Sequence, residues 1–431
     1  MLKTVKNSKN LYENTGGELK PFFWLGDTAW LLLQKLNMSE IEAYFRNRAE
    51  RHFNVVQSVL VHNDNVDRGG EIFVDLNNPQ NAQGYWGKAA EAAELARKYG
   101  IYMAFLPVWG SMVKRGFLTE ENAEAYARFL TERFKDYDNI VWVLGGDIRG
   151  EQGFDVWNIM GETFKSCDPR RLITFHPFGR TCSSIWFGDL LDFNMFQSGH
   201  RRYDQSSLGE WDDNKESEDF YGEDNWRYVE KELRNGAIKP VLDGEPSYEH
   251  IPQGLHDFTQ PFWQARDVRR YAYWSVFQGA CGHTYGCNSV MQFYSPNDKE
   301  AAYNAPEYWT EGINLPGALH MKYLYELMTS VDFAAGSHVE AADNQGFKGY
   351  DRITCFAGED YLLVYNYSGR EFRLNIDFVP KEAQWFDPTN GKYTEAAIDP
   401  QMPIAPPRNS SGDRDMVLVI RNTRSNVECI V

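Results

Sequence analysis

The sequence predicts an α/β fold, a (β/α)8 TIM barrel followed by a small C-terminal antiparallel β sandwich. Short apolar runs alternate with helical patterns up to residue 330, which is typical of a parallel barrel. Beyond that point the helical patterns stop, and short strands separated by turn residues follow. The length of 431 residues suits a barrel of about 250 residues or more with a further module of roughly 90. The predicted domains are therefore a catalytic barrel, residues 1–330, and a β sandwich, residues 331–431.

Eight short apolar runs are the predicted barrel strands. They are residues 22–26, 55–61, 102–108, 140–144, 172–175, 193–196, 240–242 and 280–284. Helix signals lie between them. Residues 88–99 form a helical pattern that ends before Gly100, and residues 119–122 resemble a capping box. Residues 315–328 have apolar spacings of three and four after an early proline, so they are predicted to be the eighth helix and to close the barrel.

Four further strands are predicted in the C-terminal module. They are residues 361–367, 372–378, 383–387 and 416–420, and Ser-Gly, Pro and Asn-Gly signals separate them. The segment Asp387-Pro-Thr-Asn-Gly391 predicts a hairpin turn. We expect this module to be a packing domain that covers one face of the barrel.

Composition and charge narrow the class of partner. The net charge of -17 argues against nucleic acid and against an anionic membrane surface, because binding to either depends on Lys and Arg. No run of about 18 apolar residues predicts membrane insertion. Aromatic residues make up 15 % of the chain, and Trp and Tyr suit stacking on sugar rings, although core packing explains most of them. The predicted partner is an oligo- or polysaccharide, and the oligomeric state stays open.

Cysteine usage and the N-terminus add two expectations. The 6 cysteines lack CxxC clusters and are sparse for the length, so they predict free thiols rather than a zinc site or a disulfide scaffold. Neither a metal nor another cofactor is predicted. The first residues contain no apolar leader segment, so a cytoplasmic location is expected unless a leader has been removed, in which case the protein would be periplasmic or secreted.

Two strand-like runs end in a carboxylate. Asp147 ends the run 139–147 after the fourth predicted strand, and Glu245 ends the run 239–245 after the seventh. An acid at the C-terminal end of a barrel strand lies at the active-site rim, and glycoside hydrolysis needs two such acids. Two alternatives stay open: Asp147 could cap a helix or turn, and either Asp243 or Glu249 could be the functional acid in place of Glu245.

Three sequence blocks resemble the family of bacterial barrels that carry a collagenase-type collagen-binding C-terminal domain and that include glycoside hydrolase family 140. The blocks are Pro21-Phe-Phe-Trp-Leu-Gly-Asp-Thr-Ala-Trp30, Trp142-Val-Leu-Gly-Gly-Asp147 and Leu242-Asp-Gly-Glu-Pro-Ser-Tyr-Glu249. The resemblance spans nearly the whole chain. It implies a retaining clan A hydrolase of plant cell wall glycans, whose characterised target is the apiose linkage of pectic rhamnogalacturonan II. It further implies that Asp147 is the acid/base and Glu245 the nucleophile.

One departure from most clan A barrels concerns the fourth strand. Those barrels place Asn-Glu after it, where this chain has Gly146-Asp147, and an Asp is one methylene shorter than a Glu. The shorter reach weakens an interpretation as an ordinary cellulase or mannanase. Alternatives that stay open are a retaining hydrolase of another β-linked glycan and, in a different class, a non-catalytic protein that binds glycan or collagen.

Other residues at the predicted strand ends are expected to contact sugar, although each could also be a packing residue. They are Asp27, Trp30, His62, Trp109, His176, Gln197, His200 and His283. The acidic run of residues 210–219 lies in a long loop on the same face. A solvated lid is favoured for this run over a calcium site, because its spacing does not match an EF-hand.

Overall fold

The computed structural model describes residues 1–63, 73–205, 221–234, 236–378 and 380–421. The predicted acidic lid, residues 210–219, lies outside these ranges. The chain begins with a small antiparallel sheet of β1 (Leu2–Thr4), β2 (Leu11–Thr15) and β3 (Glu18–Phe22). This sheet was not predicted, because its strands are short and largely polar. Leu2, Leu11 and Phe22 join the buried side chains inside the barrel.

Eight parallel strands form the barrel, so the predicted fold class is confirmed. They are β4 (Trp24–Thr28), β5 (Val55–Val61), β6 (Tyr102–Val108), β7 (Ile140–Ile148), β8 (Ile173–Pro177), β10 (Asn194–Gln197), β11 (Val241–Asp243) and β12 (Gly282–Tyr285), with the short β9 (Thr181–Cys182) pairing antiparallel to β10. Hydrogen-bonded ladders run from β12 through β4 to β8, and β10 pairs with β11. Two backbone hydrogen bonds of 2.9 Å, Asp192 N to Ile173 O and Cys281 N to Val241 O, join these two sheets into a closed barrel.

Side chains alternate between the interior of the barrel and the layer beneath the helices. On β7, Val141 and Val143 pack inside the barrel, whereas Trp142 and Leu144 face the helices. Trp142 stacks on Phe164 of a flanking helix with ring centroids 4.5 Å apart. Because side chains along a strand alternate between its two faces, only every second residue at a strand end can reach the barrel mouth.

The helices lie around the barrel and between its strands in sequence. They are α1 (Leu32–Lys35), α2 (Met38–Glu50), α3 (Gln83–Lys98), α4 (Gly110–Lys114), α5 (Glu120–Arg133), α6 (Phe154–Cys167), α7 (Ser184–Phe187), α8 (Asn225–Arg234), α9 (Ala265–Phe277), α10 (Asn288–Met291), α11 (Trp309–Gly312) and α12 (Pro316–Thr329), with short 3-10 turns at Pro79–Ala82, Ala302–Asn304 and Gly349–Asp351. The predicted capping box is present between Thr119 and Asn122. Helix α12 begins at Pro316, within one residue of the predicted start. No helix in the described ranges is both long and apolar enough to cross a membrane.

The C-terminal module is built on an antiparallel sheet. Its strands are β13 (Ser337–Val339), β14 (Ile353–Ala357), β15 (Tyr361–Asn366), β16 (Glu382–Phe386), β17 (Tyr393–Glu395) and β18 (Met416–Arg421), in the order β13-β14-β15-β18-β16-β17. The predicted hairpin turn is present, with Gly391 N donating to Asp387 O at 2.9 Å. The predicted strand at residues 372–378 is wrong. Phe372 and Leu374 make only isolated bridges and instead pack over one face of the sheet, forming the second layer.

The other face of this sheet packs against the barrel helices. Alternate residues of β15 and β18, such as Tyr365 and Val419, share the hydrophobic core of the barrel helices. Tyr365 stacks on Tyr273 of α9 with centroids 4.5 Å apart. Arg269 of α9 is fully buried at this interface and donates two hydrogen bonds to Asp415, at 2.7 and 2.8 Å. The module is therefore joined to the barrel by an apolar contact and a buried ion pair.

We expect Asp415→Ala to lower the free energy of unfolding by about 3–5 kcal/mol, because it leaves a buried guanidinium without its main partner. Asp413 also contacts Arg269, at 2.8 Å, but its side chain is 28 % exposed. The control Asp413→Ala should therefore cost about 1 kcal/mol or less. Urea unfolding of both variants measures the difference, and equal small losses would contradict a structural role for the buried pair.

Candidate active site

The end of β7 has an unusual backbone that aims Asp147 at the barrel mouth. Gly145 and Gly146 have φ values of 87° and 105°, and Asp147 itself has a φ of 47°. A Cβ on Gly145 would lie 2.4 Å from His176 O, and one on Gly146 would lie 2.7 Å from the Trp109 ring, so neither position accepts a side chain without movement. The ladder between β7 and β8 is irregular at this point. A bulge of this kind redirects the side chain that follows it.

The surroundings of Asp147 favour its protonated form. Gln197 Nε2 donates to its Oδ1 at 2.8 Å. Burial raises the pKa of Asp147 above its ordinary value, and the negative charge of Glu245 raises it further, whereas His176, Gln197 and His200 only partly oppose this. A carboxyl with a raised pKa keeps its proton to a higher pH than an ordinary aspartate does, so it is better suited to donate that proton to a leaving group.

The surroundings of Glu245 favour its ionised form. It lies two residues beyond β11, and His200 Nε2 donates to its Oε1 at 2.9 Å. His176 Nε2 lies 3.1 Å from Oε2, at an angle too oblique for a regular hydrogen bond. Burial opposes ionisation of Glu245, but the two imidazoles outweigh it and hold the pKa of this carboxyl below its ordinary value. Glu245 is therefore a carboxylate at neutral pH.

The two acids lie close to each other. One carboxyl oxygen of Asp147, one of Glu245 and one ring nitrogen of His176 all lie within 4.8 Å of one another. Retaining glycosidases separate their carboxyl groups by about 5–5.5 Å, and inverting ones by about 6.5–9.5 Å. The same three side chains could hold a divalent cation, so the expected absence of a metal stays a prediction.

Aromatic side chains form one wall of a cavity of about 300 Å³ that opens over the two acids. The ring of Trp30 lies 5.2 Å from that of Trp109 and makes an edge contact with His176 at 5.3 Å. His62 stacks on Trp109 at 5.4 Å, and burial lowers the pKa of His62 to about 4, so this imidazole is neutral. The wall offers flat apolar surfaces of the kind on which sugar rings stack.

Most of the predicted sugar-contacting residues meet in this cavity. Trp30, His62, Trp109, Gln197 and His200 line it together with Asp147 and Glu245. His176 is fully buried beneath them and reaches both acids.

Asp27 and His283, unlike His176, neither line the cavity nor contact the two acids, so the structure corrects their assignment. Asp27 accepts hydrogen bonds from Arg48 and Tyr44 of α2, and Arg48 is as fully buried as Asp27. His283 pairs in register with Leu25, which faces the helix layer, and neither of its ring nitrogens has a hydrogen-bond partner among the described residues. Both residues point away from the mouth because they occupy the outward positions of their strands.

The rival acids next to Glu245 have structural partners. Asp243 accepts from the Ser198 hydroxyl at 2.7 Å and from Asn225 at 3.0 Å. Glu249 accepts from the Tyr285 hydroxyl at 2.5 Å and from Gly317 N at 3.2 Å. Neither acid lines the cavity, so the geometry favours Glu245.

Several cavity residues were missed from the sequence. They are Arg180, Arg201, Tyr248, Leu255, Met291, Gln292 and Tyr303, among others. Arg201 directly follows His200 at the end of the sixth strand, and Tyr248 lies within the same sequence block as Glu245. Both residues could therefore have been predicted from the sequence. Gln292 and Tyr303 lie in the segment after the eighth strand, where no motif points to the site.

Comparison with protein families divides the chain in two. Residues 6–335 match the family described as "Apiosidase-like, catalytic domain". Residues 340–421 match the family described as "Putative collagen-binding domain of a collagenase". No curated protein matches the chain.

Solved structures resemble the whole chain. One, described as a glycoside hydrolase, is 38 % identical with a TM-score of 0.87, and the match covers 99 % of this chain and 97 % of that one. Another, a glycoside hydrolase family 5 protein from Bacteroides vulgatus ATCC 8482, is 37 % identical with a TM-score of 0.89, covering 99 % and 94 % of the two chains. A third, from the same organism, shares the fold at 14 % identity and a TM-score of 0.67, covering 98 % and 82 %.

We expect Glu245→Gln to lower the pKa of Asp147, because the substitution removes the neighbouring negative charge that helps to keep Asp147 protonated. Carbon-13 NMR titration of the aspartate carboxyl carbons measures this pKa directly. The control Glu249→Gln neutralises a buried acid that hydrogen-bonds to Tyr285, and it should leave the titration of Asp147 unchanged. An unchanged or higher pKa in Glu245→Gln would show that the two carboxyls do not interact.

Proposed function

The chain belongs to the apiosidase-like family of glycoside hydrolases, and we propose that it cleaves a plant cell wall glycan with retention, at apiose linkages of pectic rhamnogalacturonan II. One observation carries the mechanistic part of this proposal. Two carboxyl groups with oxygens within 4.8 Å have pKa values shifted in opposite directions in one cavity. This arrangement suits double displacement, because the acid with the raised pKa can supply the proton and the acid with the lowered pKa can attack as a carboxylate.

In the first step Glu245 is the nucleophile. Its carboxylate forms a bond to the anomeric carbon, while Asp147 donates its proton to the glycosidic oxygen and the bond from that oxygen to the anomeric carbon breaks. His200 orients Glu245, because it donates to the carboxyl oxygen at 2.9 Å. The leaving group departs as a neutral alcohol, and the sugar stays covalently attached to Glu245.

In the second step the roles of the acids reverse. Asp147, now a carboxylate, takes a proton from water, and the resulting oxygen attacks the anomeric carbon as Glu245 leaves. The amide of Gln197 donates to Asp147 Oδ1, which holds the carboxyl in the same place during both steps. Two inversions at one carbon give net retention of configuration.

The assignment to pectin rests on the family and on the charges of the cavity wall. Arg180 and Arg201 are buried and line the cavity. A guanidinium forms paired hydrogen bonds with a carboxylate more readily than with a neutral hydroxyl. Pectic glycans carry uronate carboxylates, whereas mannans and β-glucans are neutral, so these arginines favour an acidic polymer.

For the C-terminal module, residues 331–431, we propose a packing role. Its sheet covers α9 and brings Asp415 to the buried Arg269, and α9 follows the segment that carries Glu245. Collagen or glycan binding is the alternative, but the contacts between the described residues of the module and the barrel support packing.

We expect the protein to release apiose-terminated oligosaccharides from rhamnogalacturonan II and to leave xylan, mannan and mixed-linkage β-glucan intact. Incubation with each purified glycan, followed by chromatography and mass analysis of the products, tests this specificity. Release of sugar from a neutral glycan alone would overturn the pectin assignment and leave the mechanism of the acid pair standing.

We expect Glu245→Ala to abolish hydrolysis and Asp147→Ala to lower kcat/KM by about 10²–10⁴-fold on a natural linkage, with a smaller loss on an aryl glycoside whose leaving group needs no proton. Added azide assigns the roles. It should yield a glycosyl azide of retained configuration with Asp147→Ala and of inverted configuration with Glu245→Ala. The opposite pairing would exchange the two roles, and full activity of Glu245→Ala would remove Glu245 from the mechanism.

A further inference from the structure

Tyr303 has a strained backbone beside the acid pair. It lies in the turn Ala302–Asn304 and lines the cavity. Its φ and ψ of 51° and 32° are in the left-handed region, and the next residue, Asn304, has a φ of 53°. Asn tolerates this conformation, but a bulky aromatic residue rarely adopts it, because its Cβ then crowds the backbone. Strain of this kind persists only where surrounding contacts enforce it, and it concentrates at functional sites.

Two buried amide side chains enforce the conformation of the turn. Asn288 Nδ2 donates to Tyr303 O at 2.9 Å. Gln292 donates from Nε2 to Ala302 O at 2.9 Å, and its Oε1 accepts from Ala302 N at 2.7 Å. Asn288 and Gln292 lie on α10 and directly after it, close behind β12. The backbone of Tyr303 is thus attached to the eighth barrel strand rather than left to the loop.

The phenol of Tyr303 lies within the electrostatic field of the catalytic acids. Burial, together with the negative charges of Asp147 and Glu245, raises the pKa of Tyr303 to about 12. The hydroxyl therefore keeps its proton at neutral pH and remains a hydrogen-bond donor. No hydrogen bond joins this hydroxyl to another group within the part of the chain that the structure describes. A partly buried donor beside the acids is thus left available to a ligand.

We propose that Tyr303 is a substrate-binding residue, whose hydroxyl donates a hydrogen bond to a hydroxyl of the sugar that is cleaved between Asp147 and Glu245. Its ring lines the cavity and packs against the same hydrophobic cluster as Leu255 and Met291. The inference rests on the hydrolase activity proposed above, and it adds a contact that selects the sugar. The strained turn and the two amide contacts fix the position of the Tyr303 phenol. Packing of the ring alone would not require the left-handed backbone conformation of this residue.

The test compares Tyr303→Phe with Tyr308→Phe. Tyr303→Phe keeps the ring and loses only the hydroxyl, so kcat/KM should fall about 10- to 100-fold, because a sugar hydroxyl is left without its hydrogen-bond partner. Tyr308 lies on the same segment, packs against Tyr294 with ring centroids 5.1 Å apart and does not line the cavity. Its variant should match the wild type within about twofold. Thermal unfolding of both variants should be unchanged.

The pH dependence of kcat/KM separates binding of substrate from an effect on the acids. A hydroxyl that bonds only the sugar leaves both limbs of the profile of Tyr303→Phe where they are in the wild type. A shift of either limb would overturn the proposal, because the hydroxyl would then act through Asp147 or Glu245. Wild-type kinetics in Tyr303→Phe would overturn it equally.

The kinetics are measured on whichever glycan the wild type hydrolyses, so the two proposals fail separately. Turnover of a neutral glycan alone overturns the pectin assignment but leaves the comparison of the tyrosine variants intact. Unchanged kinetics of Tyr303→Phe on a pectic substrate overturns the role of Tyr303 and leaves the pectin assignment in place.

Discussion

The site depends on the repulsion between two carboxyl groups in a confined space. Asp147 and Glu245 have oxygens within 4.8 Å, Glu245 is buried and Asp147 is partly buried, so ionising both is unfavourable. The surrounding groups decide which acid carries the charge. Two imidazoles contact Glu245, whereas Asp147 accepts from a neutral amide. The asymmetry of these neighbours, more than the identity of the acids, divides the chemistry between them.

The barrel makes this asymmetry possible, because its strands place side chains that are distant in sequence next to the two acids. Asp147 comes from β7, His176 from β8, Gln197 from β10, and Glu245 follows β11. Parallel strands present their C-terminal ends at one face, so short steps around the barrel bring these side chains together. None of the described residues of the C-terminal module lines the cavity, yet its sheet and Asp415 hold α9, the helix that follows the nucleophile segment.

Much of this arrangement could be predicted from the sequence, and the failures have physical causes. Apolar runs located all eight barrel strands, since buried parallel strands are continuously apolar. The acids were found because both end such a run. Asp27 and His283 were assigned wrongly to the cavity, because a strand end gives no information on which of two faces a side chain takes. Residues 372–378 alternate like a strand, but the sequence does not distinguish a strand from a segment that covers a sheet. Tyr303 could not be predicted from the sequence, because its position depends on hydrogen bonds from the amide side chains of Asn288 and Gln292 to its turn.

The glycine pair before Asp147 has a consequence for how this site could have diverged from other clan A barrels. Their Asn-Glu pair would need a side chain at position 146, where a Cβ meets the Trp109 ring at 2.7 Å. Installing it would require Trp109 to move, and Trp109 supports both Trp30 and His62. A side chain at position 146 therefore needs a compensating change around Trp109, so the glycine pair and the aromatic wall constrain each other and would have to change together.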